Sequence, residues 1–302
     1  MDWNTAIALD ALRGSDLLDL GMSANHVRHN LHPESVVTYE LRGRATSWEE
    51  ARHEALLHTG MSINLAQIFD AEHFSLESLK AHLITQRERL PNATFQHLPV
   101  SRLEGIAGNV LALTEAIPGL QAAGLCSIRV DYDSTFHSLS HKELSDLLRL
   151  AARCDLFASV SITIGNSESL EQRVKTLTMV RDLQKETNAI QSVQVNVHHA
   201  ATPEARREEE ATAVDYLKML AVTRIYLDTV DHIQTDWSVM GPKVLELALR
   251  FGADDAGAVP WSQSGNLEPS HHGGESELRR IIRDAGFRPV ERDALFRQSL
   301  LH

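Results

Sequence analysis

Cysteine is nearly missing from this chain, with Cys126 and Cys154 the two thiols in 302 residues. On ligand count alone that argues against a disulfide framework, a Cys-rich zinc site or an iron–sulfur cluster held by three thiolates. Basic side chains are also in the minority, 29 against 41 acidic ones, for a formal net charge of −12. An acidic surface repels phosphate backbones and no concentrated basic stripe offsets it, so nucleic acid is not an expected partner. No apolar run approaches the ~20 residues of a membrane span, and Met1-Asp2-Trp3 opens without a basic n-region. The expectation is a cytoplasmic protein with no membrane partner. Gly-x-Gly-x-x-Gly, the phosphate-loop Gly-Lys-Ser/Thr and Gly-x-Ser-x-Gly are absent too, which removes the main support for Rossmann, nucleotide-triphosphatase and hydrolase-elbow chemistry.

What the chain does have is an ordinary globular balance, 43% apolar and 23% charged. At about 150 residues per domain the length suits two domains or one α/β barrel of ~250 residues with end extensions. Short β-branched runs alternate with longer helical patterns, the signature of repeated βα units and a parallel sheet. Candidate strands are Val36 to Arg42, Ser62 to Phe69, Ala93 to Leu98, Ser127 to Tyr132, Phe157 to Ile164, Ser192 to Val197, Arg224 to Asp228 and Asp254 to Val259. Ser47 with Glu50 and Ser140 with Glu143 read as capping boxes, and Ser75 and Ser167 as N-caps. The expected architecture is a TIM-type (β/α)8 or partial barrel. Two N-terminal helices lie within 1–34, the barrel occupies 35–260, and a loop with a C-terminal helical extension, stopped at Gly286, fills 261–302.

Sixteen histidines raise the question of a metal. His53 and His58 are five apart, about 140° around a helix, and cannot share an ion as an i, i+4 pair does. His137 precedes the helix that Ser140 caps, so it need not converge with His141, and His271-His272 falls in an irregular loop. His198-His199 closes a strand, where alternation turns one ring towards the barrel axis. The same positional logic nominates Gln67, His97, Asp131, Asp133, Thr163, Asp228, Asp236, Asp254 and Asp255 for the ring of groups around the mouth, where barrel enzymes keep their sites. Asp254 and Asp255 are adjacent, so one of them is expected to be a cap or loop anchor.

The run that begins Leu227-Asp-Thr-Val-Asp-His-Ile-Gln-Thr-Asp-Trp-Ser-Val-Met-Gly-Pro and ends at Asp254-Asp255 resembles the radical S-adenosylmethionine enzymes of menaquinone and deazaflavin synthesis: aminofutalosine synthase, dehypoxanthine futalosine cyclase and the FO synthase subunits. The stretch from Asp19 to His32, Val37-Thr-Tyr, Ile164 to Ser169, His198 to Pro203 and Arg279 to Arg292 are similar to further parts of that family. The resemblance implies a barrel that binds a futalosine-like or related aromatic or nucleoside metabolite, with Asp236 and Trp237 among its contacts. It also implies that His198 matches a family histidine and that Asn166 stands where another is expected.

One segment departs from the family pattern. After the first strand the family carries Cys-x-x-x-Cys-x-x-Cys for a 4Fe–4S cluster, whereas this chain reads Arg42-Gly-Arg-Ala. The Gly-rich S-adenosylmethionine segment is replaced by Leu65-Ala-Gln-Ile-Phe-Asp70. The expectation that follows is no cofactor: no cluster, no S-adenosylmethionine, and no radical chemistry by the single chain. Two roles fit. The first is a cluster-free paralogue, a pseudoenzyme binding its metabolite as a non-catalytic subunit of an active radical homologue or as a homo-oligomer. The second is a lyase, hydrolase or isomerase with His198 as base and Asp131, Asp228 or Asp254 as acidic partner, or with a metal recruited by His97 and His198. Convergence of His198 with Asp228 and Asp254 or Asp255 on one polar pocket would favour the second.

Overall fold

A computed structural model describes residues 3–14, 16–43, 45, 47–57, 62–65, 68, 74–91, 93–96, 98–132, 139–165, 167–198, 210–235, 241–260 and 274–298. The strands are β1 (Val36–Arg42), β2 (Ser62–Asn64), β3 (Thr94–Gln96), β4 (Leu98–Pro99), β5 (Ser127–Tyr132), β6 (Phe157–Ile164), β7 (Ile190–Val197), β8 (His232–Thr235), β9 (Asp255–Pro260) and β10 (Arg288–Arg292). Nine of them pair in the order β3-β2-β1-β9-β8-β7-β6-β5-β4. Every pairing is parallel. Position 97 alone separates β3 from β4, so the path returns to its start as a nearly closed barrel.

Helices α1 (Thr5–Arg13) and α2 (Leu17–Leu31) precede the barrel. Around it run α3 (Trp48–Leu57), α4 (Leu76–Arg89), α5 (Val100–Ala107), α6 (Val110–Ala123), α7 (His141–Arg153), α8 (Leu170–Thr187), α9 (Ala213–Tyr226), α10 (Pro242–Arg250) and α11 (Glu275–Asp284). Ser75, Ser140, Ser169 and Thr212 each close a reciprocal capping box, satisfying two backbone donors that a helix start would otherwise expose. Ser47 accepts from Glu50 N as its spacing suggests, whereas the cap of α8 is Ser169 and not Ser167.

Three differences from the sequence expectation matter for the site. The segment 224–228 is no strand: α9 runs through Tyr226 and the strand is β8, which starts at His232. Val222, Thr223 and Ile225 are β-branched, but α9 is buried from Met219 to Tyr226 without a break, and a helix covered all round loses the periodicity that distinguishes it from a buried strand. The second strand stops at Asn64, short of Phe69. The third is β10, which the sequence left in the tail: it pairs in parallel with the first half of β1, Val36 opposite Arg288 through Glu40 opposite Arg292.

Candidate functional site

Successive strand residues point to opposite faces, so each stave has one row towards the helices and one towards the barrel axis. The outward rows are largely apolar: Val37, Tyr39 and Leu41; Ile128, Val130 and Tyr132; Val193, Val195 and Val197. Tyr39 reaches Glu275 of α11, and Thr235 meets Tyr216 of α9, which fixes that face as the helix side. The inward rows are polar on stave after stave: Thr38, Glu40 and Arg42; Ser62 and Asn64; Thr94 and Gln96; Ser127, Arg129 and Asp131; Ser159, Ser161 and Thr163; Ser192, Gln194 and Asn196. TIM-barrel interiors are ordinarily filled by branched apolar side chains. This lumen is lined with hydrogen-bonding groups and opposed charges.

Towards the carboxyl ends of the strands some of these groups are partly exposed and others buried. Arg129 Nε donates to Asp131 Oδ1 at 2.7 Å, the pair about a quarter exposed. Asn196 Nδ2 donates to Ser161 Oγ at 2.8 Å, and Thr163 stands level with Asn196. Glu40 is fully buried between Arg42, 2.9 Å away, and Arg292 at 3.6 Å, and it accepts from Gln96 Nε2. Gln96 Oε1 is buried with no hydrogen-bond partner, an acceptor left over on the inner face of the barrel.

At the other end the floor is sealed. Asp255 Oδ2 accepts from Thr38 Oγ1 at 2.6 Å, and both of its oxygens accept from the Arg292 guanidinium, at 2.5 and 2.9 Å. Burial drives the Arg292 guanidinium down, but Asp255 and Glu40 more than restore it, and it stays charged. Asp254 is ion-paired to buried Arg224, and also accepts from His232 Nδ1 at 2.6 Å and Ile233 N at 2.7 Å. Burial alone would push its carboxyl up; Arg224, His232 and His32 together hold it well below the ordinary range. Gly252, at φ +98°, lets Arg224 lie against it, since a Cβ there would stand 2.8 Å from Arg224 Cβ. Its carbonyl accepts from Arg224 Nε at 2.8 Å. Phe296 stacks between His232 (4.1 Å between centroids) and Phe157 (5.4 Å), with Arg292 over its face at 3.8 Å.

The structure separates the residues nominated from sequence. His198 follows β7 at the mouth, exposed, its N–H on the Ile164 carbonyl at 2.8 Å. Asp131 and Thr163 share that end. Asp228, exposed, sits in the turn between α9 and β8, and Asp254 and Asp255 stand at the start of β9, all three at the floor. The trio of His198, Asp228 and Asp254 is therefore not brought together. Asp228 changes ends because the strand assigned to it begins four residues later, at His232. Gln67, His97, Asn166, Asp236 and Trp237, like Asp133, His137, His199 and His271-His272, lie outside the described residues. Glu40, Gln96, Arg129, Asn196 and Arg292 were missed. Period-two polarity summed over all staves would have found the first four, whereas Arg292 reaches the lumen only through the tertiary pairing of β10.

Residues 177–300 match the family described as the CofH/MqnC C-terminal region. The chain is 22% identical to a cyclic dehypoxanthine futalosine synthase of Streptomyces coelicolor, over 98% of this chain and 85% of that protein. It is 29% identical to a 5-amino-6-(D-ribitylamino)uracil–L-tyrosine 4-hydroxyphenyl transferase of Methanococcoides burtonii over 53% of this chain, and spans 48% of that protein. The crystal structure of methylornithine synthase shares the fold at TM-score 0.64 and 14% identity, covering 96% of this chain and 94% of that one.

These matches correct one expectation. The inference of no cofactor, from absent cysteines, is overturned by the relatives: they belong to the group whose resemblance carries a 4Fe–4S cluster and S-adenosylmethionine, and a missing motif does not make the family cofactor-free. The donors of this chain's mouth are a separate matter, and they do not fit a cluster held by three thiolates. Cys126 precedes β5 and Cys154 caps the end of α7, both at the floor end of the staves. Cys126 donates to the Gly124 carbonyl, and burial pushes its thiol up, away from the thiolate form a metal needs. In sequence the chain is similar to proteins named for futalosine synthesis and for a ribitylaminouracil–tyrosine transfer, and residues 177–300 carry the match to the CofH/MqnC C-terminal region.

Proposed function

We propose that the lumen holds a futalosine-like or related aromatic or nucleoside metabolite in or beside menaquinone biosynthesis, its polar end inward. The observation that carries this reading is the row of hydrogen-bonding side chains on the inner face of the staves, with the Gln96 carbonyl oxygen unpartnered among them. Burying such groups without partners costs about 1–3 kcal/mol each, so a lumen of this kind is maintained against a stability cost when something polar occupies it. The opposed pairs Arg129 with Asp131 and Arg42 with Glu40 leave little net charge, which suits a polar ligand rather than a polyanion. The relatives' names, a futalosine synthase and a transferase acting on a ribitylaminouracil and tyrosine, supply the chemical neighbourhood. The chain's part is to hold the metabolite, alone or beside an active homologue.

An acid–base reaction shared by His198, Asp228 and Asp254 gains nothing from the geometry, since the histidine and the two carboxylates are at opposite ends of the barrel. Calorimetric titration of the purified protein with dehypoxanthine futalosine, chorismate-derived benzoates and S-adenosylmethionine tests the proposal. One of the first two classes should bind saturably, and Arg129→Ala should weaken it at least tenfold. A panel without a binder, or an Arg129→Ala protein that binds as the wild type does, ends the proposal.

A further inference from the structure

At the floor, on the far side from the lumen's mouth, three side chains from three segments converge. His32 is the C-cap residue of α2, His232 opens β8 and Asp254 immediately precedes β9. One ligand atom from each lies within 4.8 Å of the others. We propose that His32, His232 and Asp254 form a divalent-metal site of the zinc type that clamps the α2–β1 turn to the starts of β8 and β9. The site is independent of the ligand proposed for the lumen.

The donor set is two imidazole nitrogens and a carboxylate oxygen, which selects zinc and its borderline neighbours over calcium or magnesium. In tetrahedral zinc, with bonds of about 2.0–2.1 Å, neighbouring ligand atoms stand about 3.4 Å apart. His32 Nε2 is already 3.5 Å from Asp254 Oδ2. His232 Nδ1, at 2.6 Å from the same oxygen, has to withdraw by about 0.8 Å to make that spacing. The Asp231 carbonyl, 2.8 Å from His32 Nε2, offers a fourth oxygen. Arg224 engages the other oxygen of Asp254, Oδ1, and so leaves Oδ2 to the two rings.

Charge permits the ion. Asp254, Asp231 and Glu34 face the guanidiniums of Arg224 and Arg28, three carboxylates against two cations, while Arg292 is taken up by Asp255 and Glu40. The side chains of His32 and His232 are 17% and 22% exposed, which gives an ion a way in.

The proton count also closes. Carbonyl and carboxylate oxygens only accept, so His32 carries its proton on Nε2 and His232 on Nδ1. Metal binding needs both lone pairs, and each ring supplies one by giving up the proton on that nitrogen, to its other nitrogen where that is bare and to solvent where both are protonated. For His32 that nitrogen, Nδ1, is 3.6 Å from Glu34 Oε1, the carboxylate partner that metal-bound histidines commonly have.

The test uses tag-free, metal-stripped full-length protein titrated with Zn2+ by calorimetry and with Co2+ by its visible spectrum. One equivalent should bind, and His232→Gln and His32→Gln should each weaken binding at least tenfold, while His53→Gln, at an exposed position of α3, should leave it unchanged. A chain with sixteen histidines can bind zinc elsewhere. One-site binding that survives the His32→Gln/His232→Gln double change, or no saturable binding, overturns the proposal. Should those variants fail to fold, anomalous scattering at the zinc edge on unmodified crystals decides it: a peak between these three residues supports the site, and a peak elsewhere or none refutes it.

Discussion

The two ends of the barrel use the same kinds of residue in different ways. At the floor, two buried guanidiniums are fully met, Arg224 by Asp254 and the Gly252 carbonyl, Arg292 by Asp255 and Glu40, with the Phe296 ring stacked on His232. Towards the mouth, Arg129 and Asp131 stay about a quarter open, Asn196 meets a single hydroxyl and Gln96 keeps an unmet acceptor. A saturated network holds an architecture, whereas an unsaturated one keeps hydrogen-bonding capacity in reserve. The end of a stave on which a polar residue falls therefore says more about its role than its chemistry does.

The contrast breaks most visibly at Arg224. Arg224→Leu strands the Asp254 carboxylate in the interior, and denaturant unfolding should show a loss of roughly 3–5 kcal/mol, much of it recovered when Asp254→Leu is added. Acid attacks the same node. The folded Asp254 carboxyl is held below its unfolded value near 3.9, so its contribution is complete above about pH 4 and disappears as the pH falls through the depressed folded value. Urea midpoints measured from pH 5 downward should decline, and Asp254→Asn should flatten that decline. Phe296 is partly exposed and sits at φ +58°, a left-handed conformation uncommon for a residue with a side chain. Phe296→Ala should cost about 1–2 kcal/mol through lost ring contacts. Arg129→Ala at the mouth should change stability by less than about 0.5 kcal/mol while weakening ligand binding at least tenfold. A large stability loss there would erase the distinction between the ends.

Much of the architecture was legible because strand signals are local. β1, β5 and β6 begin and end where alternation and turn residues put them, and the helix stop at Gly286 carries φ +91°. The failure at 224–228 was local as well, since a fully buried helix turn and a buried strand share one composition. That error carried Asp228 to the wrong end of the barrel. His32, Arg224 and Arg292 were beyond reach for a different reason: their partners lie 222, 30 and 37 residues away in sequence, for His32–Asp254, Arg224–Asp254 and Arg292–Asp255, and no spacing rule links them. The correction on cofactors has a related lesson, because counting cysteines describes this chain's donors and not the chemistry of its relatives.

The parallel seam between β1 and β10 has a consequence for how the chain comes together. Val36 lies opposite Arg288, so one of the earliest strands leaves the ribosome roughly 250 residues before its neighbour is made. At about 5–20 residues per second that is tens of seconds with a hydrogen-bonding edge uncovered. Nascent chains should depend on chaperone cover until that seam zips, and a truncated product that stops short of β10 should be found in inclusion bodies.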